Sequence, residues 1–212
     1  MALQATHIRF AIEMRDKMFV SNLGEFIAGT VYPDSRYLTN TPRELTHPHD
    51  FMQWDLKKGD DFEKGWFLHL LCDKAQEEAT LTLFPDIFSK EGKRYDEGWT
   101  KYTAIKMLQD FYELKNFDVR PYLSYLSHIK NPNGEDIERI KEHGRIFSDM
   151  YANQEKMTLE DYYPISKELG TSESVIAMLR KWIEEYRADP SMTERISKMY
   201  SMMSRLAREK LQ

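Results

Sequence analysis

Two side chains that commonly bind metal ions lie four residues apart in the most apolar segment of the chain. His69 and Asp73 fall within residues 65–73, which read GWFLHLLCD. In an α-helix, side chains four residues apart share one face, and Glu77 lies one turn further along that face. An ionised carboxylate in apolar surroundings is unfavourable unless it is paired or bound to a metal. Asp73 is therefore solvated at the helix edge, paired with a lysine or arginine beside a hydrogen-bonded His69, or a metal ligand.

Further histidines and one more carboxylate are candidates for the same site. Four of the six histidines fall within the first 73 residues. Nitrogen and carboxylate ligands without thiolates suit zinc, manganese, iron or nickel, so we expect a divalent metal as cofactor, with zinc the first choice. The candidate ligands outside residues 65–73 are His7, Asp34, His47 and His49, with His128 and His143 further along.

The composition argues against several classes of protein. The 212 residues carry 30 lysines and arginines against 35 acidic residues, a net charge of −5, which does not suit a broad basic surface for nucleic acid. Nine glycines and eight prolines are few for a turn-rich all-β fold. The single cysteine, Cys72, excludes an intrachain disulfide and a cysteine-based zinc site. The longest apolar run is too short for a membrane span, and residues 1–14 lack an apolar signal segment. We therefore expect a cytoplasmic protein without a nucleic-acid partner.

Helical periodicity predicts one all-α domain, residues 1–212, of about eight or nine helices. No linker rich in glycine, serine and proline divides the chain. Residues 31–60 carry three prolines and show no clean period, so we predict a long, ordered, functional loop there. The metal site is expected within residues 1–80, and the C-terminal helices are expected to be structural. The helices are predicted near residues 6–19, 22–29, 60–83, 98–115, 121–129, 136–154, 158–170, 172–187 and from 191 onward.

Local signals mark several helix ends. Asn22 and either Asp60 or Asp61 suit N-caps, and Gly170 suits the position after a helix end. Residues 191–194 (SMTE) predict a capping box for the last helix. That helix carries an apolar stripe, which predicts packing on its own core or, as the alternative, a seam between two copies of the chain. The stripe consists of Met192, Ile196, Met199, Met203 and Leu206.

Four short motifs together resemble the zinc-dependent phospholipase C family. In order along the chain they are an early His7, the turn Gly29-x-x-x-Pro33-Asp34, the pair Thr46-His47, and the helix Gly65-x-x-x-His69-x-x-x-Asp73. The similarity covers about the first 75 residues. The resemblance implies an all-helical bundle that holds metal ions between its helices.

The resemblance also implies a ligand set and a reaction. By match of motif the metal ligands are His7, Asp34, His47, His69 and Asp73, with Asp73 as a bridging carboxylate. The reaction is metal-assisted attack of water on a phosphodiester. The family's later His-x-x-x-Glu motif is absent, because Phe147 follows His143 by four residues and Pro132 follows His128. We therefore expect one or two metal ions, with the later histidines as possible completing ligands.

These residues define an expected mechanism for a small phosphoester substrate. A metal ion lowers the pKa of water toward about 7 and polarises a phosphoryl oxygen. Asp34 and Asp73 are the expected catalytic carboxylates, Asp34 as ligand or general base and Asp73 as the shared ligand. Glu44 and Glu77 are the expected acceptors for the ring N–H groups of ligand histidines.

Two alternative functions compete with a phospholipase-like hydrolase. The doublet His49-Asp50 resembles the HD phosphohydrolase pattern and implies hydrolysis of nucleotides. Alternatively, the protein is a non-catalytic helical interaction module whose His/Asp set is a structural or decayed metal site. In that case the C-terminal methionine stripe is the functional surface, and a homodimer through this helix is one possible assembly.

Overall fold

The fold is built from helices and turns, as the periodicity predicts. A computed structural model describes residues 3–87, 96–128 and 130–211, and these residues contain no β-strand. The all-α prediction is therefore confirmed for the described part of the chain. Its helices are α1 (Gln4–Met14), α2 (Leu23–Val31), α3 (Arg36–Thr39), α4 (Arg43–Thr46), α5 (Asp61–Leu83), α6 (Glu97–Glu113), α7 (Ile137–Ala152), α8 (Tyr162–Glu168), α9 (Glu173–Ala188) and α10 (Pro190–Lys210).

The segment predicted as a long ordered loop contains short helical pieces joined by turns and irregular backbone. The 3-10 helices Tyr32–Ser35 and Phe51–Gln53 flank α3 and α4. Pro33 stands in the first turn of Tyr32–Ser35, where a missing backbone N–H does no harm. Pieces of four residues or fewer are too short to show a period, which is why the sequence indicated a loop. In the same way, the helix predicted for residues 121–129 is the 3-10 helix Arg120–Ser127, and residue 129 lies outside the described residues.

The described residues form two compact units, each assembled from distant parts of the chain. Unit 1 takes them from Met1–Leu3, Asp73–Asn116 and Thr158–Gln212, and unit 2 from Gln4–Cys72 and Phe117–Met157. One passage between the units lies inside α5, between Cys72 and Asp73. A boundary within a continuous helix carries no linker composition, so no compositional signal marks it.

Two glycines set the distance between α2 and α5 in unit 2. A Cβ on Gly65 would stand 1.9 Å from the carbonyl oxygen of Phe26, and one on Gly29 would stand 2.0 Å from that of Phe62. Real Cβ atoms do not approach so closely, so the two helices cross backbone against backbone. At this separation Thr30, the residue after Gly29 on α2, contacts His69, which lies one turn after Gly65 on α5.

The C-terminal methionine stripe belongs to the core of unit 1. Met192, Ile196, Met199 and Met203 are all buried, and α10 packs on α6 and α9. The packing interpretation therefore holds for these four residues, while Leu206, the last residue of the stripe, is half-buried. A homodimer through this helix stays a prediction. The start of α10 differs from the prediction, because Asp189 caps it and Pro190 occupies its first position in place of a capping box at residue 191.

The start of α5 is fixed by two adjacent aspartates. Asp60 and Glu63 exchange side-chain to backbone hydrogen bonds at 2.9 and 3.0 Å, which forms the predicted cap. The carboxylate of Asp61 accepts hydrogen bonds from Ser21, the backbone N–H of Asn22 and Lys64. Burial alone would raise the pKa of Asp61, but these hydrogen bonds outweigh it and lower the pKa to about 2.

Replacing Gly65 with alanine should break the close crossing of α2 and α5. Because the added Cβ would meet backbone atoms that cannot rotate away, we expect Gly65→Ala to lower the free energy of unfolding by about 3 kcal/mol or more. Gly98→Ala is the matched control, since its Cβ meets an ordinary contact at 3.4 Å inside α6. Denaturant unfolding measures both variants, and equal stabilities would contradict the role given to Gly65.

Acid should remove the contribution of Asp61. A pKa lowered from 3.8 to about 2 means that the ionised form of the Asp61 side chain stabilises the folded state more than the protonated form does. The stabilisation is present above about pH 4 and is lost as the pH falls toward 2. At neutral pH we expect Asp61→Asn to cost about 1–2 kcal/mol relative to the exposed control Asp50→Asn. A difference that persists unchanged at pH 2 would argue against this assignment.

Candidate metal centre

Three buried side chains from separate elements of unit 2 converge on one point. His7 lies in α1, Asp34 in the 3-10 helix Tyr32–Ser35, and His69 in α5. His7 and His69 are fully buried and Asp34 is 2% exposed. Each offers one ligand atom, and these three atoms lie within 4.8 Å of one another. A group of two imidazoles and a carboxylate at this spacing can hold a divalent ion.

His69 is the central ring of the group. The ring of His7 stacks on it with centroids 3.9 Å apart and planes 11° from parallel. The ring of His47, at the end of α4, meets it edge-on with centroids 5.3 Å apart. His47 and His69 also offer ligand atoms within 4.8 Å of each other. Three of the histidines singled out by sequence are thus brought together.

A backbone carbonyl determines which nitrogen of His69 can bind a metal. The Nδ1 atom of His69 lies 2.8 Å from the carbonyl oxygen of Thr30. A carbonyl oxygen only accepts, so the neutral ring carries its proton on Nδ1 and a lone pair on Nε2. Nε2 lies 4.0 Å from Oδ1 of Asp34. This distance exceeds a hydrogen bond but is below the sum of a Zn–N and a Zn–O distance, about 4.2 Å, so one ion can contact both atoms.

Polar neighbours orient the other members of the group. Gln4, one turn before His7 on α1, donates from Nε2 to Oδ2 of Asp34 at 2.9 Å, while Oδ1 is the oxygen nearer to His69. The hydroxyl of Thr46 lies 2.9 Å from Nδ1 of His47. Ligand histidines in metalloproteins are held through their second nitrogen in this way.

The sequence predicted different acceptors for the ring N–H groups. Glu44 and Glu77 are both exposed. The carbonyl of Thr30 lies beside Nδ1 of His69, and the hydroxyl of Thr46 lies beside Nδ1 of His47. Sequence reasoning missed Thr30 because it acts through its carbonyl, which every residue possesses. Thr46 had a signal, since its hydroxyl directly precedes His47 in the sequence.

Asp73 lies one turn beyond His69 on α5 and is half-buried. The two residues offer ligand atoms within 4.8 Å of each other, as helical spacing predicts. Within unit 1, burial raises the pKa of Tyr102, nearby Lys106 opposes this, and the charges of Asp73 and Glu77 add to it. Lys106 is itself buried, with its Nζ 4.1 Å from the centre of the Tyr102 ring. The ammonium group of Lys106 therefore lies in the same neighbourhood as the carboxylates of Asp73 and Glu77, as the paired interpretation of Asp73 requires.

The remaining candidate ligands lie apart from these groups in the part of the chain that the structure describes. His49 and its neighbour Asp50 are exposed. His128 is also exposed and covers Gly24, where an added Cβ would stand 2.7 Å from its ring. None of these three belongs to a described cluster of possible ligand atoms.

His143 occupies an intermediate position. It is buried on α7, a helix that packs against the 3-10 helix carrying Asp34. Burial lowers the pKa of His143 to about 4, while the charge of Asp34 raises it and His69 lowers it further. His143 is thus within electrostatic reach of the centre but is not among the atoms that lie within 4.8 Å of one another.

Comparisons with known proteins found no match, so the functional argument rests on the residues of the site. No protein-family model, no curated protein and no solved structure matches the chain. None of the helices in the described residues is both long enough and apolar enough to cross a bilayer.

Placing a second carboxylate beside Asp34 should destabilise the folded protein, because two buried like charges repel each other. Gln4 is fully buried and donates to Asp34, so Gln4→Glu replaces a donor with a like charge. We expect unfolding to require about 2 kcal/mol less free energy than in the control Gln53→Glu, which alters an exposed residue. Zinc should restore part of the loss if the ion binds between these groups. Thermal and denaturant unfolding with and without zinc measure this, and equal stability of the two variants would contradict the arrangement.

Proposed function

We propose that this protein is a metal-dependent hydrolase that acts on phosphoester bonds. One observation carries the proposal: buried His7, Asp34 and His69, from three separate elements, present ligand atoms within 4.8 Å of one another. Proteins seldom bury such a set without either compensating hydrogen bonds or a cation. His47 adjoins His69 within unit 2, and Asp73, one turn along α5 from His69, is the fifth ligand that the motif match proposes.

The donor set fits a divalent transition metal. Neutral imidazole nitrogens and carboxylate oxygens suit zinc, with manganese, iron or nickel compatible. The Thr30 carbonyl holds the Nδ1 proton of His69, which leaves the Nε2 lone pair on the side of Asp34. Such a carbonyl–histidine arrangement supports a metal ligand by fixing both tautomer and ring orientation.

The chain's own residues supply positioning and proton transfer. A bound divalent ion would activate water and polarise the phosphoryl oxygen. Gln4 orients the carboxylate of Asp34, whose Oδ1 can bind the ion or accept a proton from the attacking water. The burial of His7 and His69 excludes bulk water, which strengthens electrostatic interactions at the centre.

The substrate class comes from the family resemblance. The five residues that match the motifs of the zinc-dependent phospholipase C family are His7, Asp34, His47, His69 and Asp73. Within unit 2, His7, Asp34 and His47 each offer a ligand atom close to one of His69, which supports a common site, and the resemblance then favours a phosphoester as the substrate.

A structural metal site is the second candidate function, and one observation favours it. His7, Asp34 and His69 are nearly inaccessible to solvent, and structural sites are closed whereas catalytic sites keep an open position. A non-catalytic helical module with a buried metal would look the same around these three residues. The HD-like alternative gains no such support, because His49 and Asp50 are exposed.

Metal content tests the centre. We expect the purified full-length chain to retain stoichiometric zinc or another transition metal, and chelation to lower Tm by several degrees because the ion joins separate elements. Asp34→Asn and His69→Gln should weaken metal binding by about 100-fold or more, since each removes a direct ligand. Asp73→Asn should also reduce retention. His49→Gln is the control, and a wild-type chain without bound metal at saturating zinc would refute the centre.

Activity separates the hydrolase from the structural site. We expect the metal-loaded protein to hydrolyse the general substrate bis(p-nitrophenyl) phosphate, and Asp34→Asn to abolish that activity. A protein that binds metal tightly but hydrolyses neither this ester nor nucleotides would favour the structural site. Nucleotide hydrolysis that depends on His49 and Asp50 would favour the HD-like alternative instead.

A further inference from the structure

A small cavity in unit 2 is lined both by residues that reach solvent and by buried His143. Exposed His128 and partly exposed Lys130 line it, as do Ala28 and Val31 of α2. Its volume is about 10 Å³. A cavity of this size accommodates one water molecule and nothing larger.

Buried His143, one of the lining residues, carries a polar atom that needs a partner. His143 is 2% exposed, and no described residue forms a hydrogen bond with its Nε2 atom. Leaving a buried ring nitrogen unpaired is unfavourable. Water can donate or accept, so it satisfies Nε2 in either tautomer of the ring.

We propose that this cavity binds one water molecule on Nε2 of His143 and forms the route by which solvent water reaches the metal-binding residues. The first half of the proposal stands on the cavity and the buried nitrogen. The second half rests on the proposed function, because it assigns that water to the centre at Asp34 and His69.

The position of His143 supports the second half. His7, Asp34 and His69 are shielded from solvent, so a hydrolytic centre there needs a path for water. His143 lies on α7, which packs against the 3-10 helix that carries Asp34, and it lines the same cavity as exposed His128. The same residue therefore lines the cavity and lies on an element in contact with the one that carries Asp34.

One added methyl group tests whether the cavity holds water. Val31→Ile adds a methyl group to the cavity wall, and Val119→Ile adds the same group at a fully buried position of unit 2 that does not line the cavity. We expect magnetic relaxation dispersion to count one fewer long-lived internal water in Val31→Ile than in the wild type or in Val119→Ile. A high-resolution crystal structure should place the lost water within hydrogen-bond distance of His143 Nε2.

A double-mutant cycle links the water to His143. If the added methyl group displaces a water bound by Nε2, Val31→Ile should lower Tm by about 2–4 °C more in the presence of His143 than in the His143→Leu background. An equal shift in both backgrounds, or an unchanged count of internal waters, would overturn the water site. This test needs no metal, so its result is independent of the proposed function.

Water exchange at bound Mn²⁺ tests the route. With the protein loaded with Mn²⁺, we expect the exchange of metal-bound water, measured by ¹⁷O relaxation, to be several-fold slower in Val31→Ile than in Val119→Ile. Equal exchange rates would overturn the route while leaving the water site intact. Failure of the wild-type chain to bind Mn²⁺ or zinc would overturn both the route and the proposed metal centre.

Discussion

The backbone contact between α2 and α5 is the constraint on which the candidate centre depends. Gly29 and Gly65 let the two helices approach until a Cβ on either would overlap a carbonyl of the other. At that separation the Thr30 carbonyl reaches Nδ1 of His69, and Asp34, which follows in the next turn, faces Nε2. The glycines of the two sequence motifs therefore have a physical role that is separate from metal binding: they set the distance across which the ligands meet.

The buried polar groups around His69 fix the orientation of its ring and of the Asp34 carboxylate. The Thr30 carbonyl accepts a hydrogen bond from Nδ1 of His69, and the side-chain amide of Gln4 donates to Oδ2 of Asp34. Low effective dielectric makes each of these hydrogen bonds stronger than it would be in water, and makes a missing partner more costly. A divalent cation between Nε2 and Oδ1 would compensate the buried carboxylate. The same hydrogen bonds also stabilise the chain without an ion, which is why a structural and a catalytic site share this geometry.

Two features distinguish the centre from an ordinary polar core. The first is its stacking of two imidazoles, His7 and His69, whose centroids lie 3.9 Å apart. The second is the pair of further candidate ligands on neighbouring residues, buried His47 at the end of α4 and half-buried Asp73 one turn along α5 from His69. On the α7 side, His143 lies on a helix that packs against the 3-10 helix carrying Asp34, and it lines the same cavity as exposed His128.

The sequence by itself determined the helical class, the main helices and the ligand candidates, because these depend on local spacing. A period of 3.6 residues fixes which side chains share a face, so the relation of His69 to Asp73 needed no tertiary information. Local chemistry also fixed the caps at Asn22 and Asp60 and the left-handed Gly170. Only the tertiary structure decided that His7, Asp34 and His69 converge, that His49 and His128 stay at the surface, and that the methionine stripe is core. Those outcomes depend on contacts between residues tens of positions apart and on backbone groups such as the Thr30 carbonyl, whose role no side-chain pattern records.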